Sequence, residues 1–184
     1  MIKLNLGSGY YKLQGWINVD LDARSRPDVV ADLAKGLPFA DLTADFMHTE
    51  DFIDQLSLPD AMTFLVECHR ILKPGGVIRV LTPDVEKLAQ LYLEQPDRLL
   101  WLWRDAVSTP LVLGTAAEVF NLGMRIAGHT FLYDAETFSG MAEACGFRVQ
   151  RTTYQQSSYE DLRGLDLRDP DHAISLYCDC VKLH

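Results

Sequence analysis

Three short apolar runs, each ending in a glycine or an aspartate, fall within the first 32 residues of the chain. Ile2–Leu6 stops at Gly7-Ser8-Gly9, Trp16–Asp20 stops at an acid, and Pro27–Asp32 stops at another. Read as strands, they leave about ten residues (Gly7–Trp16) and about seven (Leu21–Pro27) for the connections. Parallel neighbours ordinarily need a crossover of a dozen residues or more, normally a helix. Seven extended residues span about 24 Å, enough to return along a four-residue strand. The spacing therefore allows a parallel sheet, on condition that its first two crossovers have lost their helices, and one sheet face is then expected to lack its usual cover.

The rest of the chain extends this scheme. Ala44–His48 is a weaker fourth strand. Pro59–Lys73 reads as a helix, with Met62, Leu65, Val66, His69 and Leu72 at helical spacing and Pro74-Gly75-Gly76 as its stop. Val77–Leu81 is a fifth strand, closed by Thr82-Pro83-Asp84. Tyr133–Cys145 is a helix with Asp134 at its N-cap and Gly146 past its end. Phe147–Tyr154 and Ala173–Leu183 are the last two strands, joined by a polar loop. Strands with helical crossovers in this order predict a doubly wound α/β fold.

Asp84–Ile126 departs from the alternation. It is helical in pattern and unusually apolar, with Leu88, Leu99, Leu102, Trp103, Leu111, Val112, Val119 and Phe120 among the residues that need burial. We expect one domain, 1–184, with 85–127 as a helical insert that packs over the ligand crevice or over the bare sheet face. Apolar surface left over on it is expected to make a homodimer contact.

Charge narrows the partners. The chain has 184 residues and a formal charge of -9. That balance argues against nucleic acid, whose binding rests on Lys and Arg neutralising phosphates, and against an anionic membrane surface. There is no targeting segment and no run near the length of a membrane span, so a cytoplasmic protein is expected. Cys68, Cys145, Cys178 and Cys180 have neither CxxC nor zinc-pair spacing; reduced thiols and no metal site are expected.

The chemistry lies in the first glycine turn. A strand followed by Gly7-Ser8-Gly9 lets backbone N–H groups approach a ligand with no Cβ in the way. Asp20, ending the next strand, has the position that accepts ribose hydroxyls in dinucleotide-binding folds, and Asp32 could receive an adenine amino group. The third glycine of GxGxxG is replaced by Lys12, and no basic cluster is present to hold a pyrophosphate. A nucleoside cofactor without phosphates fits better than a dinucleotide.

At these residues the sequence resembles a known family. LNLGSG, GWINVDLD, PDVVADL, LPF and FLVECHRILKPGGVIRVLTPD resemble the class I S-adenosylmethionine-dependent methyltransferases. The resemblance is to small bacterial proteins of the methyltransferase-11 type. NLGMRIAGHTFLYDAETFSGMAEACGFRV and SLYCDCVK extend it over nearly the whole chain. It implies a Rossmann-like sheet of seven strands, the last antiparallel, and S-adenosylmethionine as cofactor. It implies that Gly7 and Gly9 pass under the methionine moiety, that Asp20 holds the ribose, that Asp32 and Leu33 flank the adenine, that His48 and Thr49 lie beside the sulfonium, and that Ser8 and Leu21 belong to the same cofactor-binding set. After strand four, members often carry two histidines where this chain has Asp51 and Gln55.

The expected reaction is methyl transfer to a small molecule, a sugar or other metabolite. No [DN]PP[YF]-type run follows strand four to suggest an amide or nucleobase amine. If the acceptor is a hydroxyl, His129, Asp84 and Glu50 are the candidate catalytic groups. Two of them have a plainer reading: His129 as a cap or packing residue, Asp84 as the N-cap of the next helix. Trp101 and Trp103 read as core or interface, His69 as a structural residue, and the acidic run Glu160–Asp171 as a solvated loop. Two other functions fit the same pattern: a non-catalytic cofactor-binding or assembly protein of this fold, and a nicotinamide-dependent oxidoreductase, against which the missing glycine counts.

Overall fold

The computed structural model describes residues 1–106, 111–125 and 128–184. Seven strands form one sheet: β1 (Lys3–Leu6), β2 (Ile17–Asp20), β3 (Val29–Val30), β4 (Ala44–Glu50), β5 (Leu72–Pro83), β6 (Phe147–Arg151) and β7 (Ser175–Lys182). Their order is β3-β2-β1-β4-β5-β7-β6. β7 runs antiparallel to both neighbours, and the other pairs are parallel. The Rossmann-like sheet and its antiparallel last strand are as expected.

Local chemistry sets the helix ends. α1 (Leu58–Ile71) starts one residue earlier than expected, because Ser57 caps it by accepting from the Asp60 N–H, with Pro59 in the first turn. It also ends earlier. Leu72 already pairs with Ala44 of β4, and Pro74-Gly75-Gly76 forms an irregularity inside β5 before pairing resumes at Phe46 and Val77. α5 (Ala135–Ala144) is capped by Asp134 through the Thr137 N–H. β3 keeps only two residues of the expected Pro27–Asp32.

The two faces of the sheet differ in kind. Alternation along each strand sends Leu4, Leu6, Val19, Met47, Ile78, Val80, Cys178 and Cys180 to one face, where they pack with Phe64, Leu65 and Cys68 of α1 and Phe138 and Ala142 of α5. On the other face the register lines up six polar residues across six strands: Asn18, Asn5, His48, Arg79, Asp179 and Gln150. All but Gln150 are buried. A helix with an apolar stripe has nothing to bury against such a row. Connecting segments cover it instead. Leu13, Trp16, Tyr159, Leu162 and Leu165 pack at its margin against Phe46, Val77 and Val181. The shortened crossovers thus leave the bare face anticipated, and loops with matching hydrogen bonds fill it.

After β5 come α2 (Val85–Glu94), α3 (Pro96–Ala106) and α4 (Ala116–Gly123). They share a cluster of their own, built on Leu88, Leu99, Trp103, Leu113 and Val119 with Leu132 and Ile174 beside it. The helical reading of the insert holds over its described parts; its residues 107–110, 126 and 127 lie outside the described residues. Leu111 and Val112, expected to be buried, are exposed. Among the described residues no helix is long and apolar enough to cross a membrane.

All four cysteines are free and buried. Burial pushes the Cys178 thiol up to about 12 and raises Cys68 and Cys180 well above the ordinary thiol value. These thiols should resist alkylation in the native protein, because the reactive species is the thiolate. Denatured without reductant, the protein should take up four alkyl groups by mass spectrometry; fewer would reveal a bridge.

Candidate cofactor and acceptor cavity

A cavity of about 740 Å³ opens at the carboxyl ends of β1, β2 and β4. The glycine turn forms its floor. Gly7 takes φ +70 and Gly9 φ +47, conformations that cost a residue with a Cβ. Both Gly7 and Ser8 donate their N–H to the Val19 carbonyl, which ties the turn to β2. Beyond Gly9 there is open space where a Cβ would stand, with nothing within 4 Å.

Asp20 follows β2 to the rim. Its Oδ2 accepts the Gly9 N–H at 2.7 Å and its Oδ1 the Asp22 N–H at 2.8 Å. A carboxylate has about four lone-pair sites, so two remain for a ligand. Asp32 also lines the cavity, paired with Lys35 at 2.8 Å, and that partner holds its carboxyl below the usual range. Leu21 and Leu33 line the same end. The donors and acceptors here suit a nucleoside with free hydroxyls. Arg168 is the one cation among the described residues that line the cavity, and its guanidinium is paired with Asp51.

The far end is acidic and is walled by a segment that the sequence pattern reads as solvated. Leu165, Leu167 and Arg168, from the connection between β6 and β7, line the cavity opposite Glu50 and Asp51. Glu50 accepts the Leu167 N–H at 3.1 Å and the Arg168 N–H at 2.9 Å. Asp51 pairs with the Arg168 guanidinium at 2.8 Å. The Glu160–Asp171 run is therefore not a solvated loop. Its leucines were the available signal: Leu162, Leu165 and Leu167 recur among the charges, and Leu162 is fully buried.

Of the sequence-derived residues, Gly7, Ser8, Gly9, Asp20, Leu21, Asp32, Leu33, His48 and Glu50 line this cavity, and Thr49, Asp84 and His129 do not. Thr49 alternates away from His48 and Glu50 and is buried toward the opposite face. Asp84 follows β5, which lies beyond β4 from the glycine turn, and its Oδ1 caps α2 at the Glu86 and Lys87 N–H groups. His129 is held between the Gly123 carbonyl at 3.0 Å and Asp54 Oδ2 at 3.3 Å. Both keep the plainer structural roles.

The two remaining titratable groups behave oppositely. His48 is buried, and burial lowers it to about 4, so its imidazole is neutral at pH 7. Its Nδ1 lies 3.4 Å from Asn5 Oδ1. Asn5 already donates through Nδ2 to Tyr11 O and Asn18 Oδ1, so its Oδ1 is the acceptor and His48 Nδ1 carries the hydrogen. Burial pushes Glu50 up to about 7, against the pull of the Leu167 and Arg168 N–H groups. A carboxyl raised in the folded state binds its proton more tightly there, so its stabilising contribution is full below pH 4.5 and is lost as pH rises through 7. His48, lowered, has the opposite slope between about 4 and 6.5. Urea unfolding of wild type and Glu50→Gln should therefore show the stability difference moving against wild type between pH 5 and 8, by about 2–3 kcal/mol. Parallel pH profiles would contradict this.

A family profile described as "Methyltransferase domain" matches residues 15–80, from the β2 approach through most of β5. A search of curated proteins finds no significant match. Solved structures share the fold. An S-adenosylmethionine-dependent methyltransferase of Methanosarcina mazei superposes with a TM-score of 0.59 at 14% identity, covering 98% of this chain and 92% of that one. One from Mesorhizobium loti gives 0.59 at 16% identity, covering 98% and 90%. Phosphoethanolamine N-methyltransferase 2 of Haemonchus contortus, solved with S-adenosylhomocysteine, gives 0.61 at 16% identity, covering 100% of this chain and 49% of that one. At such identities the likeness establishes the fold. The profile match falls within the same sheet, and together they show that this chain has the fold of the class I S-adenosylmethionine-dependent methyltransferases.

Proposed function

We propose that the protein binds S-adenosylmethionine in this cavity and transfers its methyl group to a small molecule. The observation that carries the reading is the pairing of one cavity end, Asp20 and Asp32 beside the glycine turn, with an acidic far end walled by Leu167 and Arg168. When bound, the cofactor supplies a methyl group already activated by its sulfonium. The chain's own residues then have to hold, orient and exclude water. Asp20 would hold the ribose hydroxyls through its two remaining lone-pair sites. Gly7, Ser8 and Gly9 would let the backbone approach the methionine moiety. Glu50, with both oxygens near the Leu167 N–H, supports a role in fastening the wall rather than in removing a proton. An acceptor that needs no strong base suits this arrangement. The acidic lining favours a neutral or cationic metabolite over nucleic acid, and the free buried thiols favour a cytoplasmic setting. Exposed Leu93, Trp101, Leu111 and Val112 on the insert support a homodimer contact, which sedimentation would test.

Calorimetry with S-adenosylhomocysteine and with NADH tests the cofactor. The first should bind and the second should not; the reverse would return the protein to the oxidoreductases. Charge-assisted hydrogen bonds contribute about 1.5–3 kcal/mol, so Asp20→Ala should weaken S-adenosylhomocysteine at least tenfold in a folded protein. Unchanged affinity would discard the assignment. A methyl-transfer screen over small metabolites separates an enzyme from a binding protein.

A further inference from the structure

We infer that Arg79 is a positioning residue for the cavity: without lining it, Arg79 holds the segment between β6 and β7 where that segment becomes the cavity's outer wall. Arg79 lies in the middle of β5, fully buried, on the polar sheet face. Its guanidinium grips Asp166 with two parallel contacts, Nε to Oδ1 and Nη2 to Oδ2, each 2.6 Å. Nη1 donates to Thr152 Oγ1 at 3.1 Å and to the Gln156 carbonyl at 3.0 Å, and Nη2 to the Thr153 carbonyl at 3.1 Å. A further Nη1 contact reaches Asp179 of β7 at 2.8 Å. Every donor of the planar fork is used, and all but the last contact goes to the segment 152–166.

The consequence for the cavity follows from chain connectivity. Asp166 sits between Leu165 and Leu167, and Arg168 comes next; all three of these neighbours line the cavity, whereas Arg79 and Asp166 do not. A bidentate grip on Asp166 therefore fixes the residues on both sides of it. Glu50 completes the fastening from the cavity side, through the Leu167 and Arg168 N–H groups, and Tyr177 donates its hydroxyl to the Arg168 carbonyl. No described residue of the α2–α4 insert lines the cavity. The wall that a bound molecule meets is set by this buried arginine, not by the insert.

The inference rests on the methyltransferase reading only for its probe, S-adenosylhomocysteine. Two variants test it, Arg79→Met and Asp166→Asn, the second keeping shape while removing one charge. Leu88→Ala, in the insert cluster, is the control for general loss of stability. Amide hydrogen exchange of the unliganded proteins and calorimetry are read together. In Asp166→Asn, amides of residues 160–168 should exchange at least tenfold faster and S-adenosylhomocysteine should bind at least fivefold more weakly. Leu88→Ala should leave both within twofold even when its melting temperature falls as far. Unchanged exchange in residues 160–168, or an equal loss of affinity in Leu88→Ala, overturns the inference. If Arg79→Met does not fold, Asp166→Asn decides. If wild type does not bind S-adenosylhomocysteine, the methyltransferase reading fails, and the exchange measurement alone decides whether Arg79 holds the wall.

Discussion

Arg79→Met is expected to cost about 3–5 kcal/mol in urea unfolding, because removing one partner of a buried ion pair leaves the other charge uncompensated. Here two carboxylates are stranded. Asp166 and Asp179 are paired with Arg79 at 2.6 and 2.8 Å, with side chains fully buried. Among the described residues, Asp166 keeps only the Gln155 N–H and Asp179 the Ser157 hydroxyl as further partners of their side chains. Adding Asp166→Asn and Asp179→Asn to Arg79→Met should recover a large part of the loss, since neutral amides are far cheaper to bury than charges. The cycle separates the worth of the cluster from the cost of orphaning it. A loss below about 1 kcal/mol for the single variant would mean that water reaches the guanidinium's place, and that the polar face is less tightly covered than its contacts imply.

Gly7→Val should be the most damaging single change in the glycine turn. At φ +70 a side chain is strained, more so a β-branched one, at a cost of about 1–2 kcal/mol. A Cβ at Gly7 would also stand 2.8 Å from Phe52 Cβ and Cγ, so the ring and its backbone must shift, at about 1–3 kcal/mol. Phe52 follows Asp51, which pairs with Arg168, so the shift is carried to the cavity wall. We expect at least about 2 kcal/mol lost on unfolding and no measurable binding of S-adenosylhomocysteine. Gly9→Ala is the contrast. At φ +47 it bears strain, but its Cβ meets nothing within 4 Å, so stability should fall by only about 1 kcal/mol. Binding should still suffer, since that open space is where a ligand would pass. Equal stability losses at the two positions would show that Gly7 is not pressed against Phe52.

Much of this architecture is legible in local pattern. Apolar runs ending at Gly7, Asp20 and Asp32 mark strand ends, and strand ends in a parallel sheet share one side, so these residues were bound to meet once the order β3-β2-β1-β4 formed. Asp134 ahead of a helical pattern is a cap for reasons that operate within one turn. The short crossovers fix that one face has no room for helices of their own. These are statements about residues near one another in the chain, where period and spacing carry the information.

The remaining features depend on contacts across strands. Arg79 in VIRVL looks like any charged residue in a strand; only the register that sets it between His48 and Asp179 buries it. Glu50 ends β4 and Asp84 follows β5, yet β4 adjoins β1 and β5 does not, so the first reaches the cavity and the second caps a helix. Residues 160–171 carry too much charge to declare themselves as a wall. Their partners, Arg79 and Glu50, lie 87 and 117 positions away in sequence. Local period cannot report such pairings, because burying those charges is tolerable only when the distant opposite charges and N–H groups are already in place. Local pattern carried the sheet and the glycine turn; the closing of the cavity waited on contacts that exist only in the assembled fold.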